Sequence, residues 1–134
     1  MNKQSGLTLM ELTVVLAIVA IIAAILIPTF LNVTDRARLR SDIASARVIQ
    51  NAMALYQAER GQAVAGANMR EMMTRLANAY FLDASYDDIQ TSGAHWVLRE
   101  GRVMVDISQI TGTRVENIAS NLPEDEQRFI FPAP

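Results

Sequence analysis

Cysteine is absent from this 134-residue chain, which removes both a disulfide framework and a thiolate metal site, so stability must come from packing. Histidine occurs once, at His95, and no Gly-rich phosphate loop or pair of residues at metal-ligand spacing accompanies it. Each enzyme template therefore fails at its first requirement, and the chain reads as a non-enzyme with no cofactor and no metal site. Charge of one sign is also missing: the formal net charge is -2 and the charges are mixed along the chain, so no nucleic-acid partner is expected. Lysine is nearly absent. The only one is Lys3, and every other cationic side chain is arginine, a planar fork suited to bidentate pairing.

What the chain has instead is a long apolar run. From Leu12 to Thr34 no residue is charged and nearly all are Leu, Ile, Val or Ala. A helix of roughly 20 such residues spans the roughly 30 Å hydrocarbon layer of a bilayer. The run exceeds the about 7 to 15 residues of a secretory signal and has no A-x-A-like end, so it reads as a transmembrane segment. Within it Thr13, Ala17, Ala20 and Ala24 fall on one stripe of small side chains, where helices in lipid approach closely, although plain Ala-rich composition gives the same stripe. About 100 residues remain for one small domain, a size that gains from packing against neighbours.

Glu11 is the one charge between Lys3 and Asp35. An unpaired carboxylate is costly beside lipid, and the favourable helix dipole is a smaller effect than that cost. A cationic partner would offset it, and the nearest candidate is an N-terminal amine.

At this point Lys3-Gln4-Ser5-Gly6-Leu7-Thr8-Leu9-Met10-Glu11-Leu12-Thr13-Val14-Val15, followed by the apolar run and Pro28, resembles the processing signature of type IV pilins, type II secretion pseudopilins and competence pilins. The resemblance implies a leader of residues 1–6, cleavage by prepilin peptidase between Gly6 and Leu7, and N-methylation of the Leu7 amine. Leucine stands where the family usually has Phe or Met. The resemblance further implies that Glu11 pairs with the N-terminal amine of an adjacent subunit during assembly. Its implied partners are identical or homologous pilin subunits, membrane lipid and an inner-membrane assembly platform. Its implied location is the bacterial cytoplasmic (inner) membrane, single-pass, with the domain outside the cytoplasm and assembled into a filament. Counting basic residues opposes that orientation, with Lys3 on one side of the span and Arg36, Arg38, Arg40 and Arg47 on the other; the specific processing signature outweighs the count.

Pro28 lacks an N–H and crowds the carbonyl of Ala24, so a kink or opening is expected near residues 24–28. Beyond it Leu39, Ile43, Ala46, Ile49, Met53 and Tyr56 keep helical spacing to a stop at Gly61, with Arg36, Arg40, Asp42, Arg47 and Glu59 off that face. One helix over 7–60 is predicted, membrane or filament core over about 7–30 and amphipathic over 31–60. A small α+β part fills 61–134. Asn68 and Glu71 start a second helix, along which Met69, Met72, Met73, Leu76, Ala77 and Tyr80 form a core stripe. Glu100-Gly101 turns an antiparallel hairpin between His95–Arg99 and Arg102–Ile107. Thr113 and Glu116 suggest another capping box, Glu124-Asp125-Glu126 a solvated loop, and Arg128–Phe131 a last strand.

Among the remaining residues, His95 reads as structural or exposed. Asp83, Asp87 and Asp88 lack the spacing of a calcium loop. Arg36, Arg38 and Arg40 are expected to pair with a neighbour's Asp35, Asp42 or Glu59 rather than with DNA. The predicted architecture is thus a structural filament subunit with a pilin-like α+β fold. The alternative is a single-span membrane-anchored binding module that does not polymerise.

Overall fold

The computed structural model describes residues 8–133; Lys3, Gly6 and Leu7 lie outside the described residues. The chain divides into two units, up to Thr34 and from Asp35 onward, and the division falls inside one helix, α1, Leu9–Arg60. In the first unit α1 is helical because Leu, Ile, Val and Ala offer no competing polar side chain, and its three threonines bond backward. Thr13, Thr29 and Thr34 donate to the carbonyls of Leu9, Ile25 and Phe30 at 2.8, 3.3 and 2.9 Å. Those bonds turn each hydroxyl onto the helix, so a polar side chain sits in an apolar wall with its donor satisfied. The helix continues through Pro28 without a break.

The second unit is α+β. After α1 come α2 (Met69–Asn78), a 3-10 turn (Ala84–Asp87), β1 (His95–Arg99), β2 (Arg102–Asp106), α3 (Thr113–Ser120), α4 (Glu124–Gln127) and β3 (Ile130–Phe131). The strands form one sheet in the order β1-β2-β3. The hairpin turns where predicted: Glu100 and Gly101 both have left-handed φ, 52° and 75°, as a two-residue hairpin turn of the I′ kind requires. It sets the antiparallel register Trp96 opposite Val105 and Leu98 opposite Val103. The last strand differs from a simple antiparallel arrangement, because β3 runs parallel to β2, with Val105 opposite Ile130. The crossover through α3 and α4 makes that possible, since it carries the chain back far enough for β3 to run in the same direction as β2.

The predicted face of α1 is the one that packs. Leu39, Ile43, Ala46, Ile49 and Ala52 are buried, and Met53 and Tyr56 half-buried. Two core clusters share this face: one with Met69, Met73, Leu76, Leu82 and Val103, the other with Val105, Ile107, Ala119, Leu122 and Ile130. Trp96 and Phe129 touch both and join them. The methionine stripe is therefore core, through Met69 and Met73.

Four local expectations are corrected. Tyr80 lies beyond α2 and is 97% exposed rather than part of the core stripe. It holds left-handed φ, 63°, as the residue after the helix cap, while Phe81 N–H bonds Leu76 O at 2.9 Å and Tyr80 N–H bonds Ala77 O at 3.0 Å. That is a Schellman closure with tyrosine where glycine is usual, at a cost of roughly 1 kcal/mol or more. Thr113 is not a cap, because α3 begins at Thr113 after Gly112 and no side chain caps it. Glu124-Asp125-Glu126 is a helical turn, not a loop, and two of its carboxylates are paired. Asp42, expected on the outer face, is buried at 1% exposure. Its two oxygens accept the Gln90 and Thr91 N–H groups, each at 2.7 Å. The loop before β1 is pinned to α1 by this carboxylate, whose burial is offset by two charge-assisted bonds.

Gln50 does similar work at the sheet. β3 is too short to cover all of β2, so the Gln50 side chain accepts Val103 N–H at 2.7 Å and donates to Gly101 O at 3.0 Å, standing where a longer strand would.

Candidate functional site

In the first unit almost every side chain from Thr8 to Val33 is exposed, Ala23 alone being half-buried. Among the described residues no other element covers this surface, and a helix apolar on all sides is stable only inside a protein assembly or a membrane. Among the described residues it is the one helix long and apolar enough to cross a membrane.

Its start is organised around Glu11. Thr8 N–H and Thr8 Oγ1 donate to Glu11 Oε2 at 2.8 and 2.9 Å, and Glu11 N–H donates to Thr8 Oγ1 at 3.2 Å. This is a reciprocal capping box, T-x-x-E, whose Thr8 and Glu11 stand at the required spacing in the sequence. It gives the carboxylate a local reason to be at the helix start. It also restricts its freedom, because Oε2 is engaged while Oε1 has no hydrogen bond among the described residues. Thr8, Met10, Glu11, Val14 and Val15 line a shallow, mostly apolar hollow, so the unengaged oxygen borders a surface that a second helix can cover.

The arginine row is used differently from expectation. Arg38 and Arg114 flank Asp35 at 3.9 and 3.3 Å, Arg40 pairs with Glu126 at 3.1 Å, and Arg47 with Asp125 at 3.2 Å. Apart from Arg38–Asp35, which lies within α1, these pairs tie α1 to α3 and α4 within one chain, and Asp42 is unavailable to a neighbour because it is buried. Arg36 has no ion pair among the described residues and remains a candidate for contact between chains. The other acidic positions have separate tasks: Asp83 caps the 3-10 turn by accepting Ser85 N–H at 2.8 Å, which draws its carboxyl below the usual range, and Asp87 lies 3.8 Å from Arg70. Among the described residues no three acidic or histidine side chains gather around one point. His95 Nε2 is 3.2 Å from Asp106 Oδ2. Burial pushes the Asp106 carboxyl up, but hydrogen bonds from Ser108 and the neighbouring His95 and Arg99 outweigh it and hold the group below its ordinary value.

An exposed apolar N-terminal helix opened by a Thr-Glu box and followed by a small α+β unit is consistent with a pilin-like α+β fold. Residues 1–27 match the family model of the prokaryotic N-terminal methylation motif. The chain is also 43% identical over 58 residues to prepilin peptidase-dependent protein A of Clostridium perfringens. That alignment covers 43% of this chain and 41% of the relative, so the likeness spans less than half of either protein. No solved structure matches the chain. The N-terminal segment therefore carries the prokaryotic N-terminal methylation motif.

Proposed function

We propose that the chain is a structural subunit of a type IV pilus-like filament, a pilin or a secretion or competence pseudopilin. Prepilin peptidase removes residues 1–6, cutting between Gly6 and Leu7, and the Leu7 amine is methylated. The subunit waits in the cytoplasmic membrane through α1 with its C-terminal unit outside the cytoplasm. During assembly the apolar half of α1 moves from lipid into a bundle of like helices, and Glu11 meets the N-terminal amine of an adjacent subunit. Pro28 lets the helix bend or open locally in that bundle. The work comes from an assembly platform, since the chain offers no nucleotide-binding loop.

The observation that supports this reading is the apolar helix over residues 9–33, exposed on every side and opened by Glu11. A simple membrane anchor would use Glu11 only to cap its helix, whereas the filament reading gives its unengaged oxygen a partner on another subunit. Fractionation of a Glu11→Ala variant in the native host distinguishes the two: the filament reading expects leader removal to continue while the processed chain accumulates in the membrane. Unchanged incorporation of that variant into assemblies would contradict the role given to Glu11. A functional chain that keeps Lys3 throughout would favour the non-polymerising anchor.

A further inference from the structure

Two features of the C-terminal unit have no task within one chain. Tyr80 is 97% exposed and fixed in left-handed backbone by the closure of α2, where glycine would be accommodated without strain. A groove of about 360 Å³ lies between the start of α2, the 3-10 turn and β1, with Met69, Ile89 and Trp96 as apolar lining and Arg70, Asp87 and His95 as polar rim. Trp96 Nε1 is buried with no hydrogen-bond partner among the described residues, an arrangement that native proteins seldom keep without a reason.

We infer that Tyr80 of one copy docks into the Trp96 groove of the next. This rests on the filament reading and adds to it a side-chain contact between the outer units. The chemistry of the two surfaces matches. A tyrosine ring is a rigid apolar plate with a polar tip, and it packs edge-on or offset against tryptophan. Its hydroxyl both donates and accepts, so it can meet the Asp87 carboxylate or the Arg70 guanidinium on the rim. Arg70 and Asp87 are 3.8 Å apart and largely solvated, so an incoming hydroxyl has a loose pair to join rather than a tight one to break. Projection and groove lie at opposite ends of α2, so the contact can repeat head-to-tail along the line of copies that the filament reading supplies. The strained backbone at Tyr80 then acquires a purpose, because it aims a single aromatic side chain away from its own domain.

The experiment replaces Tyr80, or separately Val14, with the photo-crosslinker p-benzoylphenylalanine in the full-length chain in host membranes. The expected result is covalent dimers at both sites, with the Tyr80 link mapping by mass spectrometry to Met69 or Trp96 of the second copy. Linkage at Val14 with Tyr80 attached to another surface, another protein, lipid or nothing overturns the groove contact and leaves helix-driven assembly standing. No dimer at either site overturns both.

A Tyr80→Gly variant of the full chain in detergent supplies a readout that a merely structural residue would not give. Relief of backbone strain raises its thermal midpoint by about 4 °C. Loss of the anchor raises the concentration needed for self-association about tenfold, followed through the emission of the chain's single tryptophan. A higher midpoint with unchanged association contradicts the proposal.

Discussion

The two halves of α1 share a helix and little else. Residues 35–60 are amphipathic: one face is buried against α2, the sheet and α3, and the ionic groups beside it find partners in α3 and α4. Residues 9–33 are apolar on all sides and find no partner among the described residues. The difference teaches where each half obtains its stability. The second half is stabilised by contacts that the chain carries with it, and the first by lipid or by other helices. Substitutions in the second half should therefore register as unfolding of the domain, and substitutions in the first as failure of association with the fold intact.

The largest effect is expected at Glu11. Replacement by alanine should abolish assembly while leaving the thermal unfolding of the C-terminal unit unchanged, and calorimetry of the purified variant beside fractionation of the host checks both halves of that statement. Next is Asp42→Ala, which leaves the buried Thr91 N–H and the part-buried Gln90 N–H without an acceptor. The expected loss is about 3 kcal/mol, measured by denaturant unfolding, with Asp42→Asn intermediate because one acceptor survives. Gln50→Leu follows at about 1 to 2 kcal/mol, since it frees only Val103 N–H and Gly101 O, and faster hydrogen exchange of the Val103 amide would localise it.

A smaller effect is expected from Asp106. Its folded-state carboxyl titrates below the ordinary value of 3.8, so its contribution to stability is complete above that pH and is lost as pH falls through the folded value. Asp106→Asn should therefore flatten the acid limb of the stability curve below about pH 4. Smallest is Arg47→Ala, which removes a solvent-exposed pair to Asp125 together with stacking over Phe129, and should cost under about 1 kcal/mol in the same unfolding assay.

Much of this division was legible in the residues. The packed face of α1 followed from spacing, Asn68 does cap α2 by accepting Glu71 N–H, and Glu100-Gly101 does turn the hairpin. The rest depended on partners distant in the chain. Burial of Asp42 is decided by two amides 48 and 49 residues away, and helical spacing cannot report them. The parallel β3 is two residues long, too short for alternation to show, and its direction is set by the α3–α4 crossover. Tyr80 continued the periodicity of α2 by one turn after the backbone had already reversed. The Thr8–Glu11 box is different in kind, because its signal was local and complete. At the candidate site the roles of Gly6, Leu7 and Glu11 are proposals drawn from the sequence, and the structure added the threonine that orients the glutamate.

The most direct test of the account is the intact mass of the chain in the largest native assembly recoverable from the host envelope. A chain beginning at Leu7 and carrying one added methyl, free of any lysine, is the predicted result. Recovery of the chain only as dispersed membrane monomers that still hold residues 1–6 would contradict it.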